Sequence, residues 1–308
     1  MISPKYKVQV DLLLKVIPQV AKEQLFALKG GTAINLFVRD MPRLSVDLDL
    51  TYLPFDERKT ALPSISKALK RIKTNLEDNI PGIKVTAAPA REGQDMKFNC
   101  QLLNAQIKIE VNTTTRGHIQ PVRLLQLAES VQKEFGKFAA IYVVSHAELF
   151  GGKICAALDR QHPRDLFDVY LLLEKEGYTL DVKYGFIAAL LSHMRTMSEL
   201  LHPHFLDQKS AFEKQFAGMS SISFTYQDYE ATRIRLINTI HSQWAENDRN
   251  FLLSFKRGTP NWNLFPIAEL KNLPAIQWKL ENINKLIREN PNKHAELLNT
   301  LEVVLSQS

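Results

Sequence analysis

The chain has 308 residues, 45% of them hydrophobic, so it is long enough to bury the cores of about two domains. A formal net charge of +6 and a pI near 9.1 are compatible with a polyanionic partner such as RNA but favour one only modestly. The apolar runs fall far short of the ~20 residues of a membrane span, and the first ten residues lack the apolar core of a secretory signal. The sequence therefore predicts a cytoplasmic protein with no membrane partner.

The first half alternates between helical and strand-like patterns. Helices are predicted at residues 6–22, 32–38 and 56–79, the last with Asp56 as N-cap, and strands at 25–29, 46–53, 83–88, 96–103 and 106–111. Separators of hairpin length, Glu92-Gly93 and Asn104-Ala105, predict that the last three strands form an antiparallel meander. This half is therefore predicted to be mixed α/β or α+β.

The second half is predicted to be mostly helical. Helices are expected at residues 121–133, 146–158, 163–176, 181–200, 208–217, 227–244, 247–257, 276–288 and 293–305, with one strand at 140–144. Pro163 suits the first turn of a helix. We predict a core domain at residues 1–140 and a helical domain at 141–308.

A double glycine followed by a hydroxyl residue joins the first strand to a helix. Gly30 and Gly31 permit a backbone that approaches a ligand closely, and the helix start at Thr32 presents backbone amides to a phosphate. Such a motif alone is a weak signal, since most examples are ordinary turns.

Two aspartates one residue apart follow fifteen residues later. Asp47 and Asp49 share one face of the predicted strand, where two carboxylates can bind Mg²⁺ together with phosphate oxygens of a substrate. A solvated strand face is the alternative for the pair taken alone. With the glycines at this distance, the combination predicts a nucleoside triphosphate site with one or two Mg²⁺ ions.

A third carboxylate lies on a later strand. Period-two alternation puts Lys108, Glu110 and Asn112 on one face, so Glu110 is either a third metal ligand, a general base for an attacking hydroxyl, or part of a polar solvent face.

Basic and acidic residues cluster at the starts of two later helices. Lys153, Arg160 and Arg164 suit the neutralisation of a triphosphate, with Asp165 and Asp168 close by. The structural alternative is an ordinary pair between Arg164 and Asp168, with Asp165 in the first helical turn.

These motifs together resemble the AbiEii/AbiGii-type nucleotidyltransferase toxins of bacterial abortive-infection toxin-antitoxin systems, within the polymerase-β-like nucleotidyltransferases. A C-terminal stretch, residues 251–258 with Pro260-Asn261-Trp262, is similar to the same family, although Asn261 stands where an aspartate is expected.

The resemblance implies a nucleotidyltransferase core and a helical C-terminal domain that completes the active site. It implies Mg²⁺-dependent transfer of a nucleotide from an NTP to an acceptor such as the 3′ end of tRNA, a cognate antitoxin, and a role in phage defence. Lys153 would be the catalytic or phosphate-binding lysine, and Asp168 the late aspartate, with Asp165 competing for that role.

Two other functions remain open from the sequence. The acceptor could be a protein or a small molecule, or the chain could bind NTP or RNA without turnover. The presence of Asp47, Asp49 and Glu110 together argues against the inactive alternative.

Overall fold

The computed structural model describes residues 4–87 and 96–306, and the chain divides into two compact units. The first unit comprises Met1–Ser145 and Phe216–Ser223, and the second comprises His146–Gln215 and Phe224–Ser308. The predicted division into domains at 1–140 and 141–308 also assigns a function to each part of the chain, and it stays a prediction.

A mixed sheet forms the centre of the first unit. Its strands within the described residues are β1 Phe26–Lys29, β2 Asp47–Tyr52, β3 Lys84–Ala87, β4 Met96–Leu102, β5 Ala105–Asn112, β6 Arg123–Gln126 and β7 Ala140–Val143. They lie in the order β3-β4-β5-β2-β1-β7-β6. The pairs β2/β5 and β1/β7 are parallel and the other neighbours are antiparallel. The predicted mixed α/β class is confirmed.

The predicted meander is present as β3, β4 and β5, which pair antiparallel in sequence order. The turn between β4 and β5 consists of Leu103 and Asn104, one position earlier than predicted, and Leu103 has a φ of 53°. The turn predicted at Glu92-Gly93 and the strand end at Ala88 lie outside the described residues.

The helices of the first unit, within its described residues, are α1 Pro4–Val20, α2 Gly30–Ala33 with a π-helical continuation at Ile34–Val38, α3 Arg58–Asn79 and α4 Glu129–Phe135. Helix α1 packs against α3, β5 and β7. Its buried residues, such as Leu13 and Ile17, join buried strand residues such as Leu48 and Ile109 in the core. Apolar burial of this kind is the main stabilising term of the unit.

The N-cap predicted for α3 was wrong. The helix begins at Arg58 with Glu57 as its N-cap, which makes no side-chain capping bond. The Asp56 carboxylate instead accepts a hydrogen bond of 2.7 Å from the Tyr52 hydroxyl. Asp56 therefore ties the end of β2 to the loop rather than capping the helix.

The helix predicted at residues 121–133 was also wrong in its first part. Residues 123–126 form strand β6, which pairs with β7, and helix α4 begins only at Glu129. Leucine and glutamine favour helices intrinsically, but a short segment adopts the conformation that its tertiary partner requires.

In its described residues, the second unit is built from helices. Their bounds are α5 His146–Asp159, α6 Pro163–Lys175, α7 Leu180–Ser192, α8 Met197–Leu201, α9 Lys209–Ala211 with a π-helical continuation at Phe212–Phe216, α10 Tyr226–Ser242, α11 Glu246–Lys256, α12 Pro274–Glu289 and α13 Pro291–Ser306. Short 3₁₀ turns cover Trp262–Leu264 and Ala268–Asn272. Pro163 occupies the first turn of α6, as predicted.

The helix predicted at residues 181–200 is two helices. It is interrupted after Ser192, and Thr196 starts α8 as an N-cap whose hydroxyl accepts a hydrogen bond from the backbone of Glu199. Threonine competes for backbone hydrogen bonds in this way, which favours helix starts over helix interiors.

Helices α5 and α7 approach each other closely at two glycines. A methyl group added at Gly151 would overlap the backbone of Gly185, and one added at Gly185 would overlap the carbonyl of Ala147. Gly151 therefore permits helix packing in this structure, although in the sequence it lies two residues before a candidate phosphate-binding lysine, Lys153.

Candidate active site

The two aspartates of β2 lie on the partly exposed face of the sheet. Asp47 and Asp49 are half-buried, whereas Leu48 and Leu50 on the opposite face are fully buried. The alternation follows from the period of two in a strand. Both carboxylates are thus presented on the same side.

A row of four charged residues crosses neighbouring strands on this face. Lys29 of β1 pairs in register with Asp49 of β2, Asp49 pairs with Glu110 of β5, and Glu110 pairs with Lys97 of β4. The Lys97 ammonium lies 2.8 Å from the Glu110 carboxylate. Two adjacent carboxylates are therefore flanked by a lysine on each side, which offsets their mutual repulsion.

The turn before α2 packs directly on one of these carboxylates. Gly30 has a φ of +73°, and a methyl group added there would collide with the Asp49 carboxylate oxygen and lie 3.2 Å from its Cγ. Glycine is needed both for this backbone conformation and for the close approach. Gly30 therefore positions the turn against Asp49.

The other two residues of the motif hold the segment that leads into β2. The Thr32 hydroxyl is fully buried, donates to the Asp47 carbonyl and lies 3.0 Å from the Ser45 hydroxyl. A methyl group added at Gly31 would lie 2.8 Å from the Arg43 guanidinium. Thr32 thus holds the aspartate strand through its hydrogen bonds, and the missing side chain of Gly31 leaves room for Arg43.

Arg43 is buried, with 2% of its surface exposed. The sequence patterns predicted no role for it. Its guanidinium donates to the Leu44 carbonyl at 2.9 Å, and the Leu44 amide donates to the Met219 carbonyl at 2.7 Å. The signal was present in the sequence: Arg43 and Ser45 continue the period-two spacing of Asp47 and Asp49.

The donor chemistry of this face fits Mg²⁺. Within residues 4–87 and 96–306, no group of three or more His, Cys, Asp or Glu side chains is arranged to hold a metal ion. Mg²⁺, however, usually takes one or two carboxylates and completes its shell with water and substrate phosphate oxygens. Asp47 and Asp49 supply that number of hard oxygen ligands, and Glu110 stands next to Asp49 in the register.

A buried charge cluster lies in the second unit. The Lys153 ammonium is 2.8 Å from a carboxylate oxygen of Asp165 and 3.1 Å from one of Asp168. Lys153 is 7% exposed and Asp168 is 0% exposed. Both aspartates therefore contact the lysine, and the contacts do not single out either one as the late aspartate that the sequence predicts.

Arg160 completes this cluster from the surface. Its guanidinium contacts Asp165 through Nε at 2.6 Å and Nη2 at 3.1 Å, while 62% of its side chain is exposed. Burial alone would raise the pKa of Asp165, but the charges of Lys153 and Arg160 outweigh burial and hold that pKa well below its usual range. The carboxylate therefore stays ionised and fixes the plane of an exposed guanidinium.

Arg164 lies in the first turn of α6 and is partly buried, and its backbone amide donates to the His162 ring at 3.2 Å. His162 thereby caps the helix that carries Asp165 and Asp168. Lys153 and Arg160 both contact Asp165 in the structure. The predicted role of this cluster in binding phosphates stays a prediction.

The mixed sheet, the glycine turn and the adjacent carboxylates together define a nucleotidyltransferase-like class of protein. A family model described as "Nucleotidyl transferase AbiEii toxin, Type IV TA system" matches residues 11–282, and the chain belongs to this family. It is therefore a nucleotidyltransferase toxin of a type IV toxin-antitoxin system, which implies an NTP substrate and a cognate antitoxin. The predicted family and enzyme class are confirmed.

A solved structure supports the fold. The chain is similar to MenT4, a nucleotidyltransferase toxin from Mycobacterium tuberculosis H37Rv, with a TM-score of 0.60 over 92% of this chain and 93% of that one. At 12% sequence identity, this likeness concerns the fold alone. No curated protein matches the sequence. Among the helices of the described residues, none has the length and apolarity needed to cross a membrane.

Proposed function

We propose that this toxin transfers a nucleotide from an NTP to the 3′ end of an RNA, with tRNA as the leading acceptor, and that the reaction depends on Mg²⁺. The observation that carries the proposal is the register of Asp49 and Glu110 on neighbouring parallel strands, with Asp47 on the same face. We assign Asp47 and Asp49 as the Mg²⁺ ligands. Bound there, Mg²⁺ would supply positive charge to the reacting phosphate oxygens.

The second unit supplies cations suited to phosphate oxygens. Arg160 is mostly exposed while Asp165 holds one edge of its guanidinium, and a guanidinium so oriented can form paired hydrogen bonds to a phosphate. We assign the NTP phosphates to Arg160, Arg164 and Lys153. Asp165 and Asp168 are assigned as positioning residues, because each contacts Lys153.

Glu110 has two candidate roles in this reaction. Its ion pair with Lys97 at 2.8 Å keeps a carboxylate beside Asp49. There it can take the proton of the attacking hydroxyl or act as a further metal ligand. A Glu110→Gln variant separates the two: loss of the base changes the pH profile of the rate, whereas loss of a ligand raises the Mg²⁺ concentration needed for half-maximal rate.

The test of the transfer reaction uses purified protein, Mg²⁺, total tRNA and each of the four NTPs labelled at the α-phosphate. We expect label on RNA with wild type and a loss of at least 100-fold with Asp49→Asn. The matched control is Asp78→Asn, which removes an exposed carboxylate at the end of α3 in the same unit. It should leave the rate unchanged.

Other outcomes would reject the assigned acceptor or the assigned site. Label on the toxin or on a small molecule, with none on RNA, would replace RNA by that acceptor. Equal labelling of RNA by wild type and Asp49→Asn would reject the carboxylate site. NTP binding without pyrophosphate release would indicate a protein that senses NTP without turnover.

The biological part of the proposal is growth arrest during phage infection, relieved by the cognate antitoxin. We propose the cytoplasm as the place of this reaction, because NTPs and tRNA occur there. Expression of wild type, but not of Asp49→Asn, should stop growth, and co-expression of the cognate antitoxin should restore it. Equal toxicity of both proteins would separate the growth effect from nucleotidyl transfer.

A further inference from the structure

The second unit contains a cavity that the proposed reaction does not use. It has a volume of about 380 Å³ and lies among the ends of α7 and α8 and the helices α11, α12 and α13. Much of its lining is aliphatic, from residues such as Met197, Ile283, Leu286 and Leu297. A cavity of this size falls in the range of sites for small molecules, ~300–1,000 Å³.

One lysine in this lining has an ammonium without a protein partner among the described residues. Lys256, at the last position of α11, is 8% exposed. Its backbone carbonyl accepts from His294, but within the part of the chain that the structure describes its ammonium makes no hydrogen bond and no ion pair. Burial lowers the pKa of Lys256, with no neighbouring carboxylate to offset it. Most of the side chain is buried, but the ammonium itself is not closed off from solvent, so it is accessible to a ligand in the cavity.

A second lysine adds positive charge to the same lining. The Lys279 ammonium donates to the backbone carbonyls of His193 at 2.6 Å and Arg195 at 2.9 Å, so its hydrogen bonds are directed to protein. Burial, together with the charge of Lys256, lowers the pKa of Lys279 to about 8. No aspartate or glutamate is among the described residues that line the cavity. The lining therefore favours an anion, with Lys256 as its contact.

An aromatic side chain lies at the exposed edge. Trp278 lines the cavity and is 45% exposed, whereas Trp244 is buried elsewhere in the unit. A partly exposed indole offers a flat surface for an aromatic or aliphatic body.

We propose that this cavity binds a small organic anion, with its carboxylate or phosphate on Lys256 and its apolar or aromatic body against the aliphatic lining and Trp278. The proposal stands apart from the transfer reaction and does not depend on it.

The binding test uses four probes on the full-length protein, by calorimetry and by tryptophan fluorescence. Octanoate and AMP carry an anion on an aliphatic or aromatic body, n-octanol carries the body without the charge, and inorganic phosphate carries the charge without the body. We expect octanoate, AMP or both to bind at least 10-fold more tightly than n-octanol and phosphate. Binding of octanoate alone identifies a carboxylate ligand, and binding of AMP alone identifies a nucleotide.

The variants assign the binding to this cavity. Lys256→Met, which keeps the length of the side chain, should lower the affinity for the probe at least 10-fold. Lys271→Met, on the surface, should leave that affinity unchanged. Lys256→Met should also raise the Tm, because burial lowers the pKa of Lys256 and so disfavours its charged form in the folded state. A lysine with a merely structural role would lower the Tm instead. Trp278→Phe should remove the fluorescence change while calorimetry still reports binding.

Two results would overturn the proposal. One is that wild type binds octanoate and AMP no more tightly than n-octanol and phosphate. This comparison does not depend on whether a variant folds. The other is unchanged anion affinity in Lys256→Met.

Discussion

Substitution of Gly30 by alanine tests whether the glycine turn holds in place the Asp49 carboxylate, which we propose as a Mg²⁺ ligand. Gly30 has a φ of +73°, and the added methyl group would collide with the Asp49 carboxylate. The substitution therefore has two effects, one on the backbone and one on the carboxylate. They can be measured separately.

The backbone effect is a loss of stability. A non-glycine residue in the left-handed region costs about 1–2 kcal/mol, which is about 2–4 °C in Tm per kcal/mol for a unit of ~150 residues. Gly136 supplies the matched control, since its φ is +59° and a methyl group there meets nothing within 4 Å. Gly136→Ala should show the same loss of stability as the backbone part of Gly30→Ala.

The carboxylate effect is a loss of activity. The Asp49 oxygen must move by about 1 Å to restore an ordinary contact, and a displacement of that size can cost about 100-fold in rate. We therefore expect Gly30→Ala to lose about 100-fold in nucleotidyl transfer, and Gly136→Ala to lose almost none.

The assay compares the variants well below their unfolding transitions. Urea denaturation gives the free energy of unfolding, and transfer from α-labelled NTP gives the rate at a temperature where both variants are fully folded. Equal activity of Gly30→Ala and Gly136→Ala under these conditions would refute the link between the turn and Asp49.

Three further predictions concern the second unit. Lys153→Met should lower the free energy of unfolding by about 3–5 kcal/mol in urea, because it leaves the carboxylates of Asp165 and Asp168 buried without their cation. The pKa of Asp165 is depressed in the folded state, so its contribution to stability is complete above the unfolded pKa of about 3.9 and is lost as the pH falls toward the folded pKa. Unfolding measured from pH 6 to pH 2 should show this loss, and Asp165→Asn should flatten it. Gly185→Ala should destabilise the unit strongly in thermal unfolding, because the methyl group would overlap a carbonyl of α5.

Each of these predictions has its own control. Lys153→Arg keeps the charge and should lose less stability than Lys153→Met. An equal loss would show that the shape of the lysine side chain, rather than its charge, determines the stability. An unchanged pH dependence in Asp165→Asn would assign acid unfolding to other carboxylates. Gly152→Ala adds a methyl group that meets nothing within 4 Å and should stabilise α5 by about 1 kcal/mol.

Strand β6 and the break after Ser192 mark where sequence reasoning failed within the fold. Both segments contain residues that favour helices, and in each case a specific partner decided otherwise: β7 paired with one, and the Thr196 hydroxyl started a new helix in the other. The pairing of β6 with β7 is not contained in a local pattern, because it joins residues that are distant in the chain. The start of α8 was available in the sequence, since Thr196 and Glu199 have the spacing of a capping box.

The sequence alone determined the family, the mixed α/β class and the shared face of Asp47 and Asp49, because strand periodicity and motif spacing are local properties. Only the tertiary structure decided that Glu110 stands in register with Asp49, that Gly30 packs on the Asp49 carboxylate, and that Asp165 and Asp168 both contact Lys153. Register and contact depend on which elements pack together, and a buried charge such as Lys256 becomes visible only when the helices around it are in place.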